Sequence, residues 1–452
     1  MYGITLRAKI AIRSTAPPHS PDPSGRHDLL FTARHVSHSL VTLPWGDQDM
    51  TDPVRHPLTM NGRDPSLLRG DRIDGDRYWS TAFAKKEWDR LWTRIWHVAG
   101  RTSQLQEPGD YIIHDFMHES VVVVKQDDGS LRAFYNSCAH RGQRLVWNAA
   151  HTDGFHCPYH GWVYGRDGVV RSVPDPETYP QGDPCGKASL KTLRVDTWGG
   201  FVWYTMDPDA EPLLRFLEPL PELYAAYPLD KAMRVGWMRI DLDTNWKFAP
   251  DNFSESYHTR TAHPQVPPWI DQDWWSARHE MFPRGHGRTV QPMRPSLRDR
   301  PPGGTPHFFD DILRQWGIDP ATYPDFETRA RQGWLDLKAQ KQKLWKERGY
   351  LHYERMDDEQ LTDSLHTVIF PNITISFLPD HIIFFRSEPH PDDPNKCSFD
   401  LWSFVFPVDG LGKDTEIFFP GRFESLHVFI DPEAGQSRID ESVMGFSDQD
   451  GD

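Results

Sequence analysis

The stretches CAHRG (residues 138–142) and CPYHGW (residues 157–162) decide how this chain folds and which chemistry it carries. Each stretch supplies one cysteine, one histidine and a glycine close behind them. Thiolates and imidazoles bind soft and borderline transition metals, and glycine permits the tight backbone turns of ligand loops. The two stretches therefore predict a pair of metal-binding loops.

The mixed composition of the loops discriminates between two kinds of metal site. Common zinc sites pair Cys with Cys and His with His at short spacing, whereas each loop here has one of each. A [2Fe–2S] cluster of Rieske type takes two thiolates on one iron and two imidazoles on the other. We therefore predict such a cluster on Cys138, His140, Cys157 and His160, with zinc as the alternative.

A second metal-binding pattern is NWKFAPDNFSESYHTRTAH (residues 245–263). Two histidines and one carboxylate form the ligand set of mononuclear non-haem Fe(II) sites, which leaves positions open for O2. His258 and His263 are roughly 140° apart on an ideal helix, so we expect the helix to bulge or end between them. Glu255 lies one helical turn before His258, where the two side chains can touch.

With both patterns present, the chain from about Asp76 onward resembles the alpha subunits of Rieske non-haem iron ring-hydroxylating oxygenases. The family motif D-x2-H-x4-H implies that His258 and His263 are iron ligands. It also implies that Glu255 is the acidic bridge to His160 of the adjacent subunit. Members with Glu instead of the usual Asp at this position include some that act on alkylammonium substrates.

The resemblance further implies a third iron ligand in the acid-rich segment SDQDGD (residues 447–452). The flanking acids make Asp450 the first choice and Asp448 the second. The family continues past this ligand into a further helix that this sequence lacks, so we expect a loosely held iron. Asn252 is a candidate supporting residue for His258, with capping or packing as the alternative.

The predicted fold class is α+β, in three regions. Residues 1–75 lack periodicity and are rich in Pro, His, Ser and Arg, which favours a poorly ordered extension. Residues 76–206 contain an amphipathic helix, Tyr78–Trp96, followed by the β-rich runs of a small antiparallel Rieske domain. Residues 207–452 are expected to form the catalytic domain, which the resemblance implies is a helix-grip fold with an antiparallel sheet. In it, Phe326–Tyr350 is typical of a surface helix over the pocket.

Short β-rich runs are predicted to be the strands of the two domains. We expect strands at Tyr111–Phe116, Val121–Val124, Leu131–Tyr135, Val195–Thr205, Thr367–Phe377, His381–Phe385 and Phe399–Val405.

Composition narrows the function classes. A net charge of −15 argues against a nucleic-acid partner, because phosphate binding requires clustered Lys and Arg. The apolar runs are far shorter than the roughly 18 residues of a membrane span, so no membrane association is expected. Four cysteines, two of them assigned to the cluster, are consistent with a reducing cytoplasm. Because no dinucleotide-binding glycine motif is evident, a separate NAD(P)H-dependent reductase is expected, with or without a ferredoxin.

The resemblance implies a terminal oxygenase that uses those electrons and O2 to hydroxylate a small aromatic or related hydrophobic ring. O- or N-demethylation on the same scaffold is the alternative. A Rieske electron carrier and a helix-grip ligand-binding protein are the alternatives outside this class. The family also implies a homotrimer, with or without a small β subunit.

Overall fold

The computed structural model describes residues 72–263, 266–267, 270–273, 275–298, 307–409, 429–430 and 437–438. The extension predicted for residues 1–75 therefore lies almost wholly outside the described residues. Two seven-stranded sheets with flanking helices form the fold, and the α+β prediction is confirmed.

The N-terminal half of the described chain is mostly β-structure. Its strands are β1 (Trp96–Arg101), β2 (Asp110–Phe116), β3 (Glu119–Lys125), β4 (Leu131–Tyr135), β5 (Ala150–His151), β6 (Gly154–His156), β7 (Val163–Gly165), β8 (Val170–Ser172), β9 (Thr192–Trp198) and β10 (Phe201–Thr205). One sheet has the order β1-β10-β9-β4-β3-β2-β5, and a smaller sheet has the order β6-β7-β8. The predicted domain boundary after residue 206 falls just beyond the end of β10.

The apolar run Val121–Val124 is fully buried because both faces of β3 are covered. Val122 and Val124 share a cluster with the two predicted ligand cysteines. Val121 and Val123 pack on the opposite side, with residues of β10. Because successive side chains of a strand point to opposite faces, β3 packs against the cysteine loops on one face and against the rest of the sheet core on the other.

The C-terminal half contributes the second sheet. Its strands are β11 (Met233–Leu242), β12 (Arg278–Met281), β13 (Gly287–Pro292), β14 (Asp363–Ile369), β15 (Ile373–Phe377), β16 (His381–Pro389) and β17 (Cys397–Val405). They are antiparallel in the order β11-β17-β16-β15-β14-β13-β12. A separate short ladder pairs β18 (Phe429–Ile430) with β19 (Ser437–Arg438).

The helices are short. They are α1 (Asp76–Trp79), α2 (Thr81–Glu87), α3 (Leu213–Phe216), α4 (Leu220–Leu223), α5 (Phe248–Phe253), α6 (Thr259–Ala262), α7 (His307–Gln315), α8 (Phe326–Thr328) and α9 (Trp334–Leu344). π-Helical turns follow α2 and α8, at Trp88–Trp92 and Arg329–Gly333. Single 3-10 turns occur at Thr102–Gln104, Pro176–Thr178, Leu229–Lys231, Pro283–Gly285, Pro320–Thr322 and Leu351–Arg355. Among these described helices, none is both long and apolar enough to cross a bilayer.

Two segments that were each predicted to be a single strand are β-hairpins of two strands. Val195–Thr205 contains a turn at Gly199 and Gly200, whose φ values of 63° and 71° suit a two-residue hairpin loop. Thr367–Phe377 likewise divides into β14 and β15, which pair with each other. A continuous β-rich run therefore concealed a chain reversal in both cases.

The predicted helices also differ in extent and place. The N-terminal helix is broken at Ser80 and ends at Trp92, four residues before the predicted end. The helix predicted over the pocket covers the other face of the sheet, because Trp334 clusters with Phe377. Helix α5 packs through Phe253 against Phe385, whose side chain points to the opposite face.

A buried polar network joins the two large sheets. Arg386 of β16 donates to the carbonyl oxygen of Val98 in β1 at 2.6 Å and to Asp400 at 2.6 Å. His114 of β2 contacts Glu388 at 2.8 Å. Burial alone would raise the pKa of Glu388, but Arg386 and His114 outweigh burial and hold that pKa well below its ordinary value. The two domains are thus fastened by charges that are paired and excluded from water.

Candidate metal centres

The two cluster loops have the same backbone hydrogen-bond pattern. The Cys138 N–H donates to the Gln143 carbonyl at 2.8 Å, and the Cys157 N–H donates to the Trp162 carbonyl at 2.8 Å. In each loop a glycine N–H donates back to the cysteine carbonyl. These glycines, at positions 142 and 161, have φ values of 75° and 69°, which only glycine adopts readily.

The loops bury the two cysteines and leave the two histidines nearer the surface. Cys138 and Cys157 are each 3% exposed, inside the domain, and burial raises the pKa of the Cys138 thiol. The His140 and His160 rings lie 4.8 Å apart between centroids, nearer the surface. Two buried thiols beneath two outward imidazoles fit a Rieske cluster, which takes sulfur on one iron and nitrogen on the other.

Tyr164 completes this site, and sequence reasoning missed it. Its hydroxyl lies 3.0 Å from the Cys138 sulfur and accepts the Ala139 N–H at 3.0 Å. Burial and the adjacent thiol raise the pKa of Tyr164 far above its ordinary value, so the hydroxyl keeps its proton and can donate it to sulfur. The only sequence signal was its place directly after the second loop.

The two histidines predicted to bind iron, His258 and His263, flank a single helical turn. Helix α5 ends at Phe253, and α6 begins after His258 and ends before His263. His263 has φ −126° and ψ 63°, outside the helical region. This break brings the two rings to 5.3 Å between centroids, which a straight helix would not allow.

Glu255 binds the first of these histidines. One carboxylate oxygen contacts Nδ1 of His258, and the other accepts the backbone N–H groups of Tyr257 and His258. A carboxylate on Nδ1 orients the imidazole and leaves Nε2 for a metal. The Glu255 side chain is 42% exposed, so it is accessible to another protein surface. The predicted contact with His160 of a neighbouring subunit stays a prediction.

Other parts of the predicted iron site are less complete. Asp450 and the second choice, Asp448, lie outside the described residues. Asn252 is half-buried in α5, and its supporting role stays a prediction. The NWK segment has a structural role: Asn245 donates to the carbonyl oxygen of Tyr78 at 2.7 Å, and the Tyr78 hydroxyl donates to Asp251 at 2.7 Å.

Sequence reasoning also missed a histidine of the seven-stranded sheet formed by β11–β17, which we call the catalytic sheet. His366 of β14 stacks edge-on against Phe253 of α5, with ring centroids 5.4 Å apart. Burial, and then the neighbouring His258, lower the pKa of His366 to about 4. The imidazole is therefore neutral near pH 7 and lies near His258, one of the predicted iron ligands.

Two family models match the chain. The Rieske [2Fe-2S] domain matches residues 95–193, and the catalytic domain of the ring hydroxylating alpha subunit matches residues 229–426. These matches favour the Rieske cluster over the zinc alternative. They imply a mononuclear iron in the second domain.

Several known enzymes are similar in sequence over part of their length. The alpha subunit of chlorobenzene dioxygenase from Cupriavidus sp. (strain PS12) is 32% identical over 47% of this chain and 49% of its own length. Chloroplastic choline monooxygenase of Spinacia oleracea is 30% identical over 44% of this chain and 47% of its own. The oxygenase subunit of carnitine monooxygenase from Escherichia coli (strain K12) is 31% identical over 43% and 52%. The chain thus spans about half the length of the curated relatives it matches.

Solved structures share the fold. A quaternary ammonium Rieske monooxygenase in complex with L-carnitine has a TM-score of 0.53 at 19% identity, covering 75% of this chain and 76% of that one. Naphthalene 1,2-dioxygenase from Rhodococcus sp. bound to indole has a TM-score of 0.53 at 21% identity, covering 75% and 73%. The architecture described above is therefore that of Rieske oxygenases.

Proposed function

We propose that this chain, which belongs to the alpha subunits of Rieske-type ring-hydroxylating oxygenases, is a terminal oxygenase that hydroxylates an aromatic or related hydrophobic ring. The observation that carries this proposal is that one chain has two separate groups of candidate metal ligands. The Cys-His loops form the first, and the His258–His263 pair with its attached Glu255 forms the second. An electron carrier needs only the first set.

The residues proposed to hold the metals follow from these sets. When bound, a Rieske cluster supplies one-electron transfer, and a ferrous ion supplies open coordination positions for O2. The cluster ligands would be Cys138, His140, Cys157 and His160, and the iron ligands would be His258, His263 and Asp450.

The protein residues around the iron ligands orient groups and exclude water. Glu255 fixes the His258 ring so that one nitrogen faces the metal position. Asn252 is proposed to support His258 from α5. Phe253 and Phe385, whose rings lie 4.8 Å apart, supply an apolar wall for the substrate ring. Helix α5 is itself held by the contacts of Tyr78 with Asp251 and Asn245.

The proposed partners and setting follow from the same two-site arrangement. Electrons come from a separate NAD(P)H-dependent reductase, directly or through a ferredoxin. The exposed carboxylate of Glu255 and the surface position of His160 favour a homotrimer in which neighbours meet at these groups, with a β subunit as an optional addition. We place the protein in the cytoplasm. Residues 76–206 would form the electron-accepting unit and residues 207–452 the oxygenating unit.

Monooxygenation with demethylation is the second candidate function. It is supported by the sequence similarity to choline and carnitine monooxygenases, at 30% and 31% identity. Glutamate at position 255 is a further point in its favour, because Glu at the bridge occurs in family members that act on alkylammonium substrates.

The test is iron counting followed by a product screen. The purified full chain, reconstituted with iron and sulfide, should hold three irons and give a Rieske EPR signal on reduction. With a surrogate reductase and ¹⁸O2, ring dioxygenation adds two labelled oxygen atoms to an aromatic compound. Demethylation instead releases formaldehyde and leaves the substrate one methyl group lighter.

Each alternative has its own outcome. Two irons with no oxygenated product would identify an electron carrier. Iron bound only to the cluster loops, with tight binding of an unreacted compound, would identify a ligand-binding protein. Absence of the Rieske signal in reconstituted protein would refute the proposal entirely.

A further inference from the structure

The catalytic sheet carries a row of polar side chains on the face that α5 covers. His279 lies opposite Thr289, Thr289 opposite His366, and His366 opposite Ser376. Residues directly opposite in antiparallel strands share one face, with Cβ atoms about 4.5–5.5 Å apart. We call these four residues the polar row.

The polar row faces the iron histidines. His366 packs edge-on against Phe253 of α5, with ring centroids 5.4 Å apart, and Phe253 precedes His258 by five residues. Burial lowers the pKa of His279, and the Glu255 carboxylate is close enough to oppose that shift. The row therefore lies on the sheet face next to α5 and the predicted iron site.

The same sheet face turns apolar beyond the row. Ser376 lies opposite Ile383, and Phe385 and Leu401 continue the face over the next two strands. The rings of Phe385 and Phe253 lie 4.8 Å apart. This sheet face is thus mainly polar on β12–β15 and mainly apolar and aromatic on β16 and β17.

Each imidazole of the polar row makes a hydrogen bond through one of its own ring nitrogens, Nδ1. Nδ1 of His366 is 2.6 Å from the Ser376 hydroxyl, and Nδ1 of His279 is 3.0 Å from the Thr289 hydroxyl. Both rings are only partly buried. Among the residues that the structure describes, no protein group hydrogen-bonds to Nε2 of either ring. Because each hydroxyl can donate or accept, each Nε2 can adapt to an acceptor or a donor.

We propose that the polar row determines substrate specificity, and that His366 and His279 bind an oxygen substituent of the substrate through Nε2. This inference rests on the proposed function. The substrate class is then an aromatic ring that bears a hydroxyl or carboxylate group. The ring packs on Phe253 and Phe385, and the oxygen substituent meets the imidazoles.

The same geometry disfavours two other substrate classes. A bare hydrocarbon would remove water from both imidazoles without replacing its hydrogen bonds, which is costly. A quaternary ammonium group offers neither a donor nor an acceptor to Nε2. The polar row itself contains no carboxylate to pair with such a cation.

The test measures binding apart from turnover. The full chain, loaded with cluster and Fe(II), is titrated anaerobically with phenol, benzoate, toluene and tetramethylammonium by calorimetry. We expect phenol or benzoate to bind roughly 10- to 100-fold more tightly than toluene. His366→Phe should abolish that preference, and His366→Gln, which keeps a donor and an acceptor, should restore part of it. His118→Phe, at an exposed histidine of the N-terminal half, is the matched control and should keep the preference.

The outcomes separate the two proposals. Equal affinity for phenol, benzoate and toluene, or a preference unchanged in His366→Phe, overturns the role of the polar row even if turnover is normal. Preferred binding of tetramethylammonium overturns it as well. The predicted preference in a chain that reconstitutes with only two irons and forms no oxygenated product supports the polar row and refutes the oxygenase proposal. Ser376→Ala, which frees Nδ1 of His366 without touching the ring, gives a second test should His366→Phe fail to fold.

Discussion

Replacing Tyr164 by phenylalanine tests how the protein sets the electron affinity of the bound cluster. The Tyr164 hydroxyl lies 3.0 Å from the Cys138 sulfur and is held there by the Ala139 N–H. Tyr164 is fully buried, so water cannot take the place of the hydroxyl. Tyr164→Phe removes one hydrogen bond to a ligand sulfur and leaves the ring in place.

The magnitude follows from the strength of that bond. A hydrogen bond to a charged group contributes about 1.5–3 kcal/mol. The sulfur carries charge in both oxidation states, so we take about one third of this, 0.5–1 kcal/mol, as the part that grows with the added electron. Since about 1.36 kcal/mol corresponds to 59 mV for one electron, the potential should fall by about 20–45 mV. The sign is downward because the reduced cluster, with more charge on sulfur, loses more stabilisation.

A redox titration followed by EPR or circular dichroism measures this shift. Tyr179→Phe is the control, because the Tyr179 hydroxyl accepts the Trp162 indole N–H at 2.9 Å and so bonds an aromatic side chain instead of a ligand sulfur. The control should keep the potential of the unchanged protein. A cluster-replete Tyr164→Phe protein with an unchanged or higher potential would refute the reasoning.

Three further predictions concern the iron site, the domain junction and acid stability. Glu255→Gln should lower iron affinity or turnover roughly 10- to 100-fold without changing the Rieske signal, as measured by metal analysis and product assays. Glu354→Gln, an exposed control, should change neither iron affinity nor turnover. Arg386→Met should cost about 3–5 kcal/mol in urea unfolding, because it removes the buried guanidinium 2.6 Å from Asp400 and leaves that buried carboxylate only the more distant, partly exposed Arg239. Arg215→Met, at an exposed ion pair, should cost under about 1 kcal/mol. Burial lowers the pKa of His97 to about 3. Between about pH 6.5 and 3 the folded state therefore binds fewer protons than the unfolded state. The free energy of unfolding should fall as pH falls through this window. In urea unfolding, His97 should make the free energy of unfolding about 2 kcal/mol lower at pH 5.0 than at pH 7.5. His97→Gln should reduce this difference between the two pH values.

Local sequence was sufficient wherever a feature depends on residues close in the chain. The two Cys-His loops need only one cysteine, one histidine and a glycine able to adopt positive φ. The break between His258 and His263 followed from helix geometry alone, because 140° of rotation and one shared metal are incompatible. The hairpin at Gly199 and Gly200 could have been predicted from the same kind of signal, but the surrounding β-branched and aromatic run masked it.

Only the tertiary structure decided which distant residues share a site or a face. Tyr164 reaches the Cys138 sulfur, and His366 reaches α5, from positions whose local sequence resembles ordinary strands. The helix around Trp334 was assigned to the wrong face because its charged, helical pattern does not show which side of a sheet the helix covers. Sequence thus determined the ligand types and their spacing, since these depend on bonds within one loop. Strand register and packing determined the site's neighbours, because they depend on contacts between segments far apart in the chain.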